Sequence, residues 1–331
     1  MKLKEIYRPI AKELAEVERM ISSNIKSSGN KSILMLGSYL LHSGGKRLRP
    51  ALVTLSAGAV MRDKPARILN QVIKVASAVE LIHAASLIHD DVVDHSPIRH
   101  NKPTINAKWG RDVSLILGDY LYSLGFDLIS SCNNPDVLSC ISQAARMMCE
   151  GELIQVCERD NLGLLKRHYI TIVKNKTANL FAASCQAGVL AVDRKAKAKD
   201  MFKDYGLNFG IAFQIADDSL DLVGSLKDLG KDPGADFKMG ELTLPFLNLI
   251  SAHKDDDKEK IRGLIAQKAS KKSFEEIRRI FISSGAMAKT RNDAAFYALK
   301  AKKSLRALED SAFKESLFAL ADHMVDRIKI R

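Results

Sequence analysis

The stretch ARILNQVIKVASAVELIHAASLIHDDVVDHSP, residues 66–97, decides the fold. It contains no glycine, and its only proline is Pro97 at the end, so nothing interrupts a helix of nearly eight turns. Most of its side chains are apolar, which is typical of a helix buried on several sides. Three aspartates, Asp90, Asp91 and Asp94, stand at its carboxyl end. The stretch therefore predicts a core helix that ends in an acidic cluster.

Helical periodicity continues through most of the chain on both sides of this stretch. Gly44-Gly45, residues 98–106 and Leu229–Gly240 interrupt it, since glycines, prolines and polar residues are concentrated there. No alternating strand pattern, internal repeat or interdomain linker stands out. We expect an all-α fold, with residues 1–331 in a single domain. The predicted helices are 3–26, 31–42, 51–60, 66–94, 107–131, 135–158, 164–191, 196–224, 241–252, 256–269, 272–283, 286–308 and 312–328.

The charge of the chain predicts an anionic partner. Lysine and arginine number 51 against 39 acidic residues, a net charge of +12, which suits nucleic acid, anionic lipid or a phosphorylated metabolite. Aromatic residues make up only 6%, and no basic run is interleaved with them, so a single-stranded nucleic acid is poorly supported. The five cysteines are odd in number and lack C-x-x-C spacing, which favours buried thiols in a reducing compartment. Because the N-terminus has no apolar signal region and no long uninterrupted apolar window occurs, we expect a cytoplasmic protein without a transmembrane helix.

The acidic cluster at the end of the long helix is a candidate metal site. Asp90 and Asp94 are four residues apart, so their carboxylates lie on one helical face. Two converging carboxylates repel each other unless a cation lies between them, and hard oxygen ligands suit Mg²⁺ shared with phosphates. Taken alone, this pattern is more typical of an acidic helix end that faces solvent than of a metal site.

A second acidic cluster makes the metal interpretation stronger. Asp217, Asp218 and Asp221 repeat the DDxxD spacing after the apolar stretch 209–216. Carboxylates at the ends of two apolar helices are costly without a partner. Two such helices could face each other across a cavity and bind several Mg²⁺ ions on one diphosphate.

Cationic residues lie at a helix break, after each acidic cluster and within one predicted helix. GGKRLRP, residues 44–50, places three cations behind two glycines, where the backbone can approach an anion and arginine can bind phosphate oxygens. Further cations come after the first acidic cluster, within a helix, and after the second cluster, at Arg99, Lys176 and Lys231. Any one of them alone would be read as a surface cation.

Together these segments resemble the trans-isoprenyl diphosphate synthases, the polyprenyl synthetase family. They occur in the family's order and span most of the chain. The matching segments are GGKRLRP (44–50), ELIHAASLIHDDVVD (80–94), GDYLYS (118–123), EGELIQ (150–155), KTANLF (176–181), FGIAFQIADDSLD (209–221) and LGKDPGADFKMGELTLP (229–245).

The resemblance implies a helical bundle of the isoprenoid synthase type with a central active-site cavity. It also implies a Mg²⁺-dependent prenyltransferase that extends an allylic diphosphate with isopentenyl diphosphate. Up to three Mg²⁺ ions would be bound by the metal set Asp90, Asp91, Asp94, Asp217, Asp218 and Asp221. Isopentenyl diphosphate would be bound by Lys46, Arg49, His83 and His100, while Arg99, Lys176 and Lys231 would surround the allylic diphosphate and Thr177 and Gln214 would line the reaction centre.

Two positions depart from the family's pattern. His100 stands where the family usually has a second arginine, which binds isopentenyl diphosphate. Because the ordinary pKa of histidine is about 6.5, we expect this binding to weaken from pH 6 to pH 8 more than in a His100→Arg variant. Glu241 stands where many relatives have lysine.

The size of the residues behind the first cluster predicts the product length. Synthases that stop at short products tend to have bulky aromatic side chains one turn before the first aspartate, whereas this chain has Ala85 and Ser86, with Ile82 deeper. We therefore expect a medium- or long-chain all-trans polyprenyl diphosphate. Alternatively, the small residues only pack against a neighbouring helix.

Other functions fit parts of this evidence. A non-catalytic subunit of a two-component synthase would typically lose aspartates, and a class I terpene cyclase would not carry GGKRLRP. A nucleic-acid-binding protein would rest on the +12 charge alone. The resemblance also implies a homodimer, with interface candidates in 107–131 and 135–158, and at most peripheral membrane contact.

Overall fold

The computed structural model describes residues 2–41, 44–61, 66–224, 233–268 and 270–328, with only the backbone of residues 66–68. Within these ranges the chain is almost wholly helical. The helices are α1 (Leu3–Ile6), α2 (Ala11–Ser27), α3 (Lys31–Leu41), α4 (Leu48–Val60), α5 (Ala66–Val93), α6 (Ile105–Trp109), α7 (Arg111–Ser130), α8 (Pro135–Cys157), α9 (Lys166–Val173), α10 (Asn179–Val192), α11 (Lys199–Val223), α12 (Ala235–Met239), α13 (Leu244–Ser251), α14 (Asp255–Ala266), α15 (Lys271–Ser283), α16 (Ala286–Ser304) and α17 (Ala312–Asp326).

Local sequence explains where the predicted helices are divided. The predicted helix 3–26 is interrupted by a 3₁₀ turn at Arg8–Ile10, because Pro9 has no N–H to donate. Gly110, at φ +88°, separates α6 from α7 within the predicted helix 107–131. Thr104 caps α6 by accepting a hydrogen bond from the Ala107 N–H.

The predicted loop 98–106 contains a small hairpin. Strands β1 (Ile98–Arg99) and β2 (Lys102–Pro103) pair antiparallel, with Ile98 opposite Pro103. His100 and Asn101 form the turn, both at positive φ, which is a conformation that asparagine and histidine adopt more readily than most residues. The hairpin holds Arg99 and His100 next to the end of α5.

The structure divides into two compact units. The first comprises Met1–Ala145, Leu180–Gly206 and Ser304–Ala319. Helix α5 lies at its centre and packs against α2, α4 and α7. The α5–α7 contact is close, since a Cβ on Gly125 would lie 2.9 Å from Ile82 Cγ1. This unit contains the first acidic cluster and the GGKRLRP segment.

The second unit comprises Arg146–Asn179, Leu207–Lys303 and Leu320–Arg331. Apolar side chains from α9, α11 and α13–α16 form its core, with Phe281, Ile277 and Ile215 fully buried. Between α9 and α10, residues Lys174–Ala178 form a π-helical turn. This unit contains the second acidic cluster and the Lys176–Thr177 pair.

The all-α fold is confirmed, whereas the single domain over 1–331 stays a prediction. Cys132 and Cys185 are buried as predicted, but Cys149 and Cys157, both on α8, are exposed. By length and composition alone, Leu69–Val93 and Arg111–Ser130 could each cross a membrane. The apolar window of the first is 72% buried inside the protein, as expected of a core helix.

Candidate active site

The first acidic cluster lies in the last turn of α5. Asp91 is buried, and its Oδ1 accepts hydrogen bonds from Arg99 Nε and Nη2, both at 2.9 Å. Asp90 and Asp94 are half-buried, so their carboxylates can be reached from solvent. The β1–β2 hairpin therefore brings Arg99 into contact with Asp91, which is the middle aspartate of the cluster in sequence.

The residues predicted to bind isopentenyl diphosphate lie in the same unit as the first acidic cluster. Arg49 is only 7% exposed, and its guanidinium carbon lies 4.2 Å from the centre of the Phe181 ring. His83 is half-buried, and its desolvation, together with the charges of Arg49 and Arg99, lowers its pKa well below the ordinary value. At neutral pH His83 is therefore a neutral hydrogen-bonding group rather than a cation.

His100 belongs to this cluster of cations but does not add a charge at pH 7. Partial burial lowers its pKa, and the neighbouring charges of Arg99, Lys46 and Arg47 lower it further. The protonated form is therefore disfavoured until an anion enters the site. This is the electrostatic environment of an anion-binding site rather than of an isolated surface histidine.

Arg47 has a role that sequence reasoning missed. At φ +49° it precedes α4, and its guanidinium pairs with Glu18 and, at 3.0 Å, with Glu80 Oε1. The Tyr7 hydroxyl donates to the Lys46 carbonyl at 2.8 Å. Arg47 thus holds the loop in place between α2 and α5. The sequence shows Glu80 as the first residue of the matching segment ELIHAAS. No local pattern, however, indicates that Glu80 pairs with Arg47.

The second acidic cluster lies near the end of α11, where a hydrogen-bonded chain surrounds Asp218. Tyr169 Oη donates to Asp218 Oδ2 at 2.6 Å, and Gln214 Nε2 donates to Asp218 Oδ1 at 2.8 Å. Thr177 Oγ1 donates to Gln214 Oε1 at 2.8 Å. Burial raises the pKa of Asp218 to about 7, against these hydrogen bonds, and burial also raises the pKa of Tyr169 well above its ordinary value. The structure thus joins the predicted residues Thr177, Gln214 and Asp218.

The other two aspartates of this cluster have different partners. Asp217 pairs with Arg327, Oδ1 to Nη2 at 2.6 Å, and its side chain is 37% exposed. Asp221 is buried, and its Oδ2 accepts from the Asp236 N–H at 3.0 Å. Arg327 was missed by sequence reasoning, because a single arginine near the C-terminus carries no local signal.

Lys176 and Thr177 are presented by the π-helical turn. Lys176 Nζ pairs with Glu152 Oε2 at 2.6 Å, so the EGELIQ segment of α8 holds this lysine. Gly151 allows the approach, because a Cβ there would lie 2.3 Å from the Lys176 backbone nitrogen. Single π-helical turns inside helices are frequent at functional sites.

Two further predictions concern the segment after the second cluster. Lys231 lies outside the described residues. Glu241, where many relatives have lysine, pairs with Arg159 at 3.1 Å and accepts a hydrogen bond from Gln155. Both charges of the pair are largely buried, which explains why an acidic residue suits this position in a chain that has Arg159.

The residues predicted to set the product length are all buried. Ala85 and Ile82 have no exposed surface, and Ser86 is 9% exposed, with its hydroxyl donating to the His83 carbonyl at 2.8 Å. Ile82 also packs against α7 at Gly125. Their role in chain length stays a prediction.

The donor chemistry of the two clusters fits magnesium. Six carboxylates and no thiolate or imidazole make up the predicted metal set, and hard oxygen donors are the ligands that Mg²⁺ prefers. Asp90, Asp94 and Asp217 keep partial solvent exposure, whereas Asp91 and Asp218 are buried against protein donors. In the described part of the chain, no group of three or more His, Cys, Asp or Glu side chains already surrounds an ion position.

The family model and the relatives that match this chain describe prenyl diphosphate synthases. The polyprenyl synthetase family model matches residues 30–281. Octaprenyl diphosphate synthase of Escherichia coli strain K12 is 34% identical over 99% of both chains. Heptaprenyl diphosphate synthase component 2 of Bacillus subtilis is 32% identical over 99% of this chain and 91% of its own.

A solved structure shows the same fold. The polyprenyl synthase from Caulobacter crescentus CB15, crystallised with calcium and isoprenyl diphosphate, is 36% identical. It superimposes with a TM-score of 0.91 over 98% of this chain and 97% of its own.

Proposed function

The chain belongs to the polyprenyl synthetase family and is a prenyltransferase, and on that premise we propose which reaction it catalyses. It condenses isopentenyl diphosphate with an allylic diphosphate and gives a medium- or long-chain all-trans polyprenyl diphosphate. The observation that carries the proposal is the gathering of Lys46, Arg49, His83, Arg99 and His100 at the acidic end of α5. A cationic cluster against a carboxylate cluster suits two charged substrates, one bound directly and one bound with metal.

Isopentenyl diphosphate is bound directly by this cationic cluster. Lys46 and Arg49 supply charge, and the stacking of Arg49 on Phe181 fixes the plane of its guanidinium. His83, kept neutral by its surroundings, donates a hydrogen bond without adding charge. Arg47 forms ion pairs with Glu18 and Glu80. In this proposal it therefore stabilises the loop before α4 and does not bind substrate.

The allylic diphosphate is bound through the acidic clusters. Asp90, Asp94 and Asp217 are the ligands that best fit up to three Mg²⁺ ions, with Asp91, Asp218 and Asp221 supporting them. Magnesium, when bound, supplies positive charge that makes the diphosphate a better leaving group. Lys176, held by Glu152, adds a fixed positive charge, and the departing pyrophosphate takes up the proton lost after the double bond attacks.

The length of the product follows from small residues behind the first cluster. Ala85 and Ser86 leave no aromatic ring one turn before Asp90. The similarity to an octaprenyl diphosphate synthase supports the same proposal. We also place the enzyme in the cytoplasm, with at most peripheral membrane contact and no role in binding nucleic acid.

The assembly is proposed to be a homodimer. Large apolar side chains are exposed on α7 and α8, among them Ile116 at 70% and Leu153 at 67%. One alternative has an observation in its favour, since the similarity to heptaprenyl diphosphate synthase component 2 points to a subunit that needs a different partner chain.

A product assay tests the proposal. The purified protein is incubated with Mg²⁺, labelled isopentenyl diphosphate, and farnesyl or geranylgeranyl diphosphate, and the products are read by mass spectrometry. We expect a ladder that ends at one polyprenyl diphosphate longer than farnesyl, abolished by EDTA and by Asp90→Asn. A folded dimer that elongates neither primer would contradict the proposal, and a folded monomer without activity would favour the two-component alternative.

A further inference from the structure

Four side chains of the second unit form one continuous hydrogen-bonded chain. They come from three elements: Tyr169 from α9, Thr177 from the π-helical turn, and Gln214 and Asp218 from α11. Gln214 and Asp218 are four residues apart, so α11 places them one above the other on one face. Tyr169 is 4% exposed, Asp218 5% and Thr177 7%, so little of the chain reaches solvent.

The hydrogen bonds of this chain fix the orientation of the Gln214 carboxamide. Tyr169 and the Gln214 amide both donate to Asp218, one to each carboxylate oxygen. Because the Gln214 amide nitrogen donates to Asp218, the amide oxygen faces Thr177 and accepts a hydrogen bond from its hydroxyl. A carboxamide turned by 180° would place its oxygen against Oδ1 of the ionised Asp218, with no proton between the two acceptors.

We propose that Tyr169 and Asp218 are positioning residues that fix the Gln214 carboxamide and, through it, the Thr177 hydroxyl. This inference rests on the proposed function, in which Gln214 and Thr177 line the reaction centre. The Thr177 proton is directed towards Gln214, so the lone pairs of Oγ1 remain for the positive charge that develops when the allylic bond ionises. A dipole fixed before the reaction stabilises that charge without reorganising during it.

The chain also gives Asp218 a role different from that of Asp217. Both oxygens of Asp218 accept hydrogen bonds from side chains of the protein, whereas Asp217 is 37% exposed and pairs with Arg327. Asp218 therefore orients Gln214, and metal binding in this cluster is left to its neighbours.

The kinetic test removes one hydroxyl group. Tyr169→Phe is expected to lower kcat about tenfold, while the KM values for both substrates and the half-saturating Mg²⁺ concentration change less than twofold. Tyr205→Phe is the matched control, because the Tyr205 hydroxyl is also buried and donates at 2.6 Å, to the Leu317 carbonyl in the other unit. It should leave kcat unchanged. An unchanged kcat in Tyr169→Phe would overturn the proposal.

A double-variant cycle separates positioning from a general structural effect. If Tyr169 acts through Gln214, then Tyr169→Phe should cost little further rate in a Gln214→Leu background. A further tenfold loss in that background would show that Tyr169 does not act through Gln214, and would overturn the proposal.

The assignment of Asp218 is tested without turnover. Mg²⁺ is titrated calorimetrically into the protein in the presence of inorganic diphosphate. Tyr169→Phe and Asp218→Asn should bind Mg²⁺ within twofold of the wild type, while Asp217→Asn binds it at least tenfold more weakly. If Asp218→Asn is as impaired as Asp217→Asn, then Asp218 is a ligand and the proposal fails. A wild type without elongation would instead contradict the proposed function, and the calorimetric comparison would still decide the role of Asp218.

Discussion

At each acidic cluster, burial separates aspartates that look equivalent in the sequence. Asp91 and Asp218 are each 5% exposed and accept hydrogen bonds from Arg99 and Tyr169, respectively. A buried carboxylate is tolerated only with such partners, so the middle aspartate of each cluster is tied to the protein. The outer residues Asp90 and Asp94 keep partial exposure, which is what a metal that arrives with substrate requires.

His100 gives a pH-dependence that can be measured. Because burial and nearby cations lower its pKa, the free enzyme loses the His100 charge at a pH below the ordinary 6.5 of histidine. A bound diphosphate favours the protonated form, so affinity is highest at low pH and falls as pH rises towards 8. We expect the KM for isopentenyl diphosphate to rise roughly tenfold more from pH 5.5 to pH 8 than in His100→Arg.

The control for this prediction is His100→Asn. Asparagine tolerates the positive φ of this turn and carries no charge, so its KM should be high and should vary with pH no more than in His100→Arg. Parallel KM profiles for the wild type and His100→Arg would show that His100 does not bind the diphosphate as a cation.

At the scale of elements, the approach of α8 to the π-helical turn positions Lys176 and Thr177. A Cβ on Gly151 would lie 2.3 Å from the Lys176 backbone nitrogen, and backbone cannot move as a flexible side chain does. Gly151→Ala should therefore displace the turn, lower the free energy of unfolding by about 1 to 3 kcal/mol and lower kcat. Chemical denaturation and steady-state kinetics measure the two effects.

Gly263→Ala is the matched control for Gly151→Ala. Gly263 is also in a helix, α14, but a Cβ there meets nothing within 4 Å. Alanine should raise the free energy of unfolding by about 0.4 to 1 kcal/mol and leave kcat unchanged. Equal effects of the two substitutions would mean that the contact at Gly151 does not matter.

Helix α5 carries the prediction on product length. Ala85 is fully buried one turn before Asp90, and a phenylalanine ring at this position would fill space needed by a growing chain. Ala85→Phe should shift the product distribution towards shorter polyprenyl diphosphates, read by mass spectrometry. A thermal melt checks that the variant is folded, since overpacking a core also destabilises it. A folded variant with unchanged product length would place the product tunnel elsewhere.

At the scale of the whole molecule, the exposed apolar side chains of α7 predict self-association. Ile116 is 70% exposed and Leu115 37%, and large apolar residues exposed together commonly mark protein interfaces. Ile116→Lys should convert a dimer into a monomer in size-exclusion chromatography with light scattering. Leu299→Lys, at a site on α16 that is also well exposed, at 58%, should leave the dimer intact. A dimer that survives Ile116→Lys would contradict this interface.

The sequence alone determined the helical class and most of the candidate site residues. Helical periodicity and a long segment without glycine or proline are local properties, so α5, α7, α8 and α11 were predicted to within a few residues. The motifs marked Lys46, Arg49, Asp90 and Thr177 as candidates because their neighbours in sequence carry the pattern. Local breaks were seen less well: Pro9, Gly110 and the β1–β2 hairpin divide segments that periodicity had joined or left as loop.

Only the tertiary structure decided which side chains meet. Tyr169 and Asp218 are 49 residues apart, Arg47 and Glu80 are 33 apart, and Arg327 reaches Asp217 across more than 100 positions. No local pattern links such residues, because their contact depends on how separate helices pack. The same packing buries Asp91 more deeply than Asp90 and Asp218 more deeply than Asp217, and so gives chemically identical residues different surroundings. The sequence determines residue types and their spacing, whereas the burial of each side chain and its hydrogen-bonding partners depend on how the helices pack together.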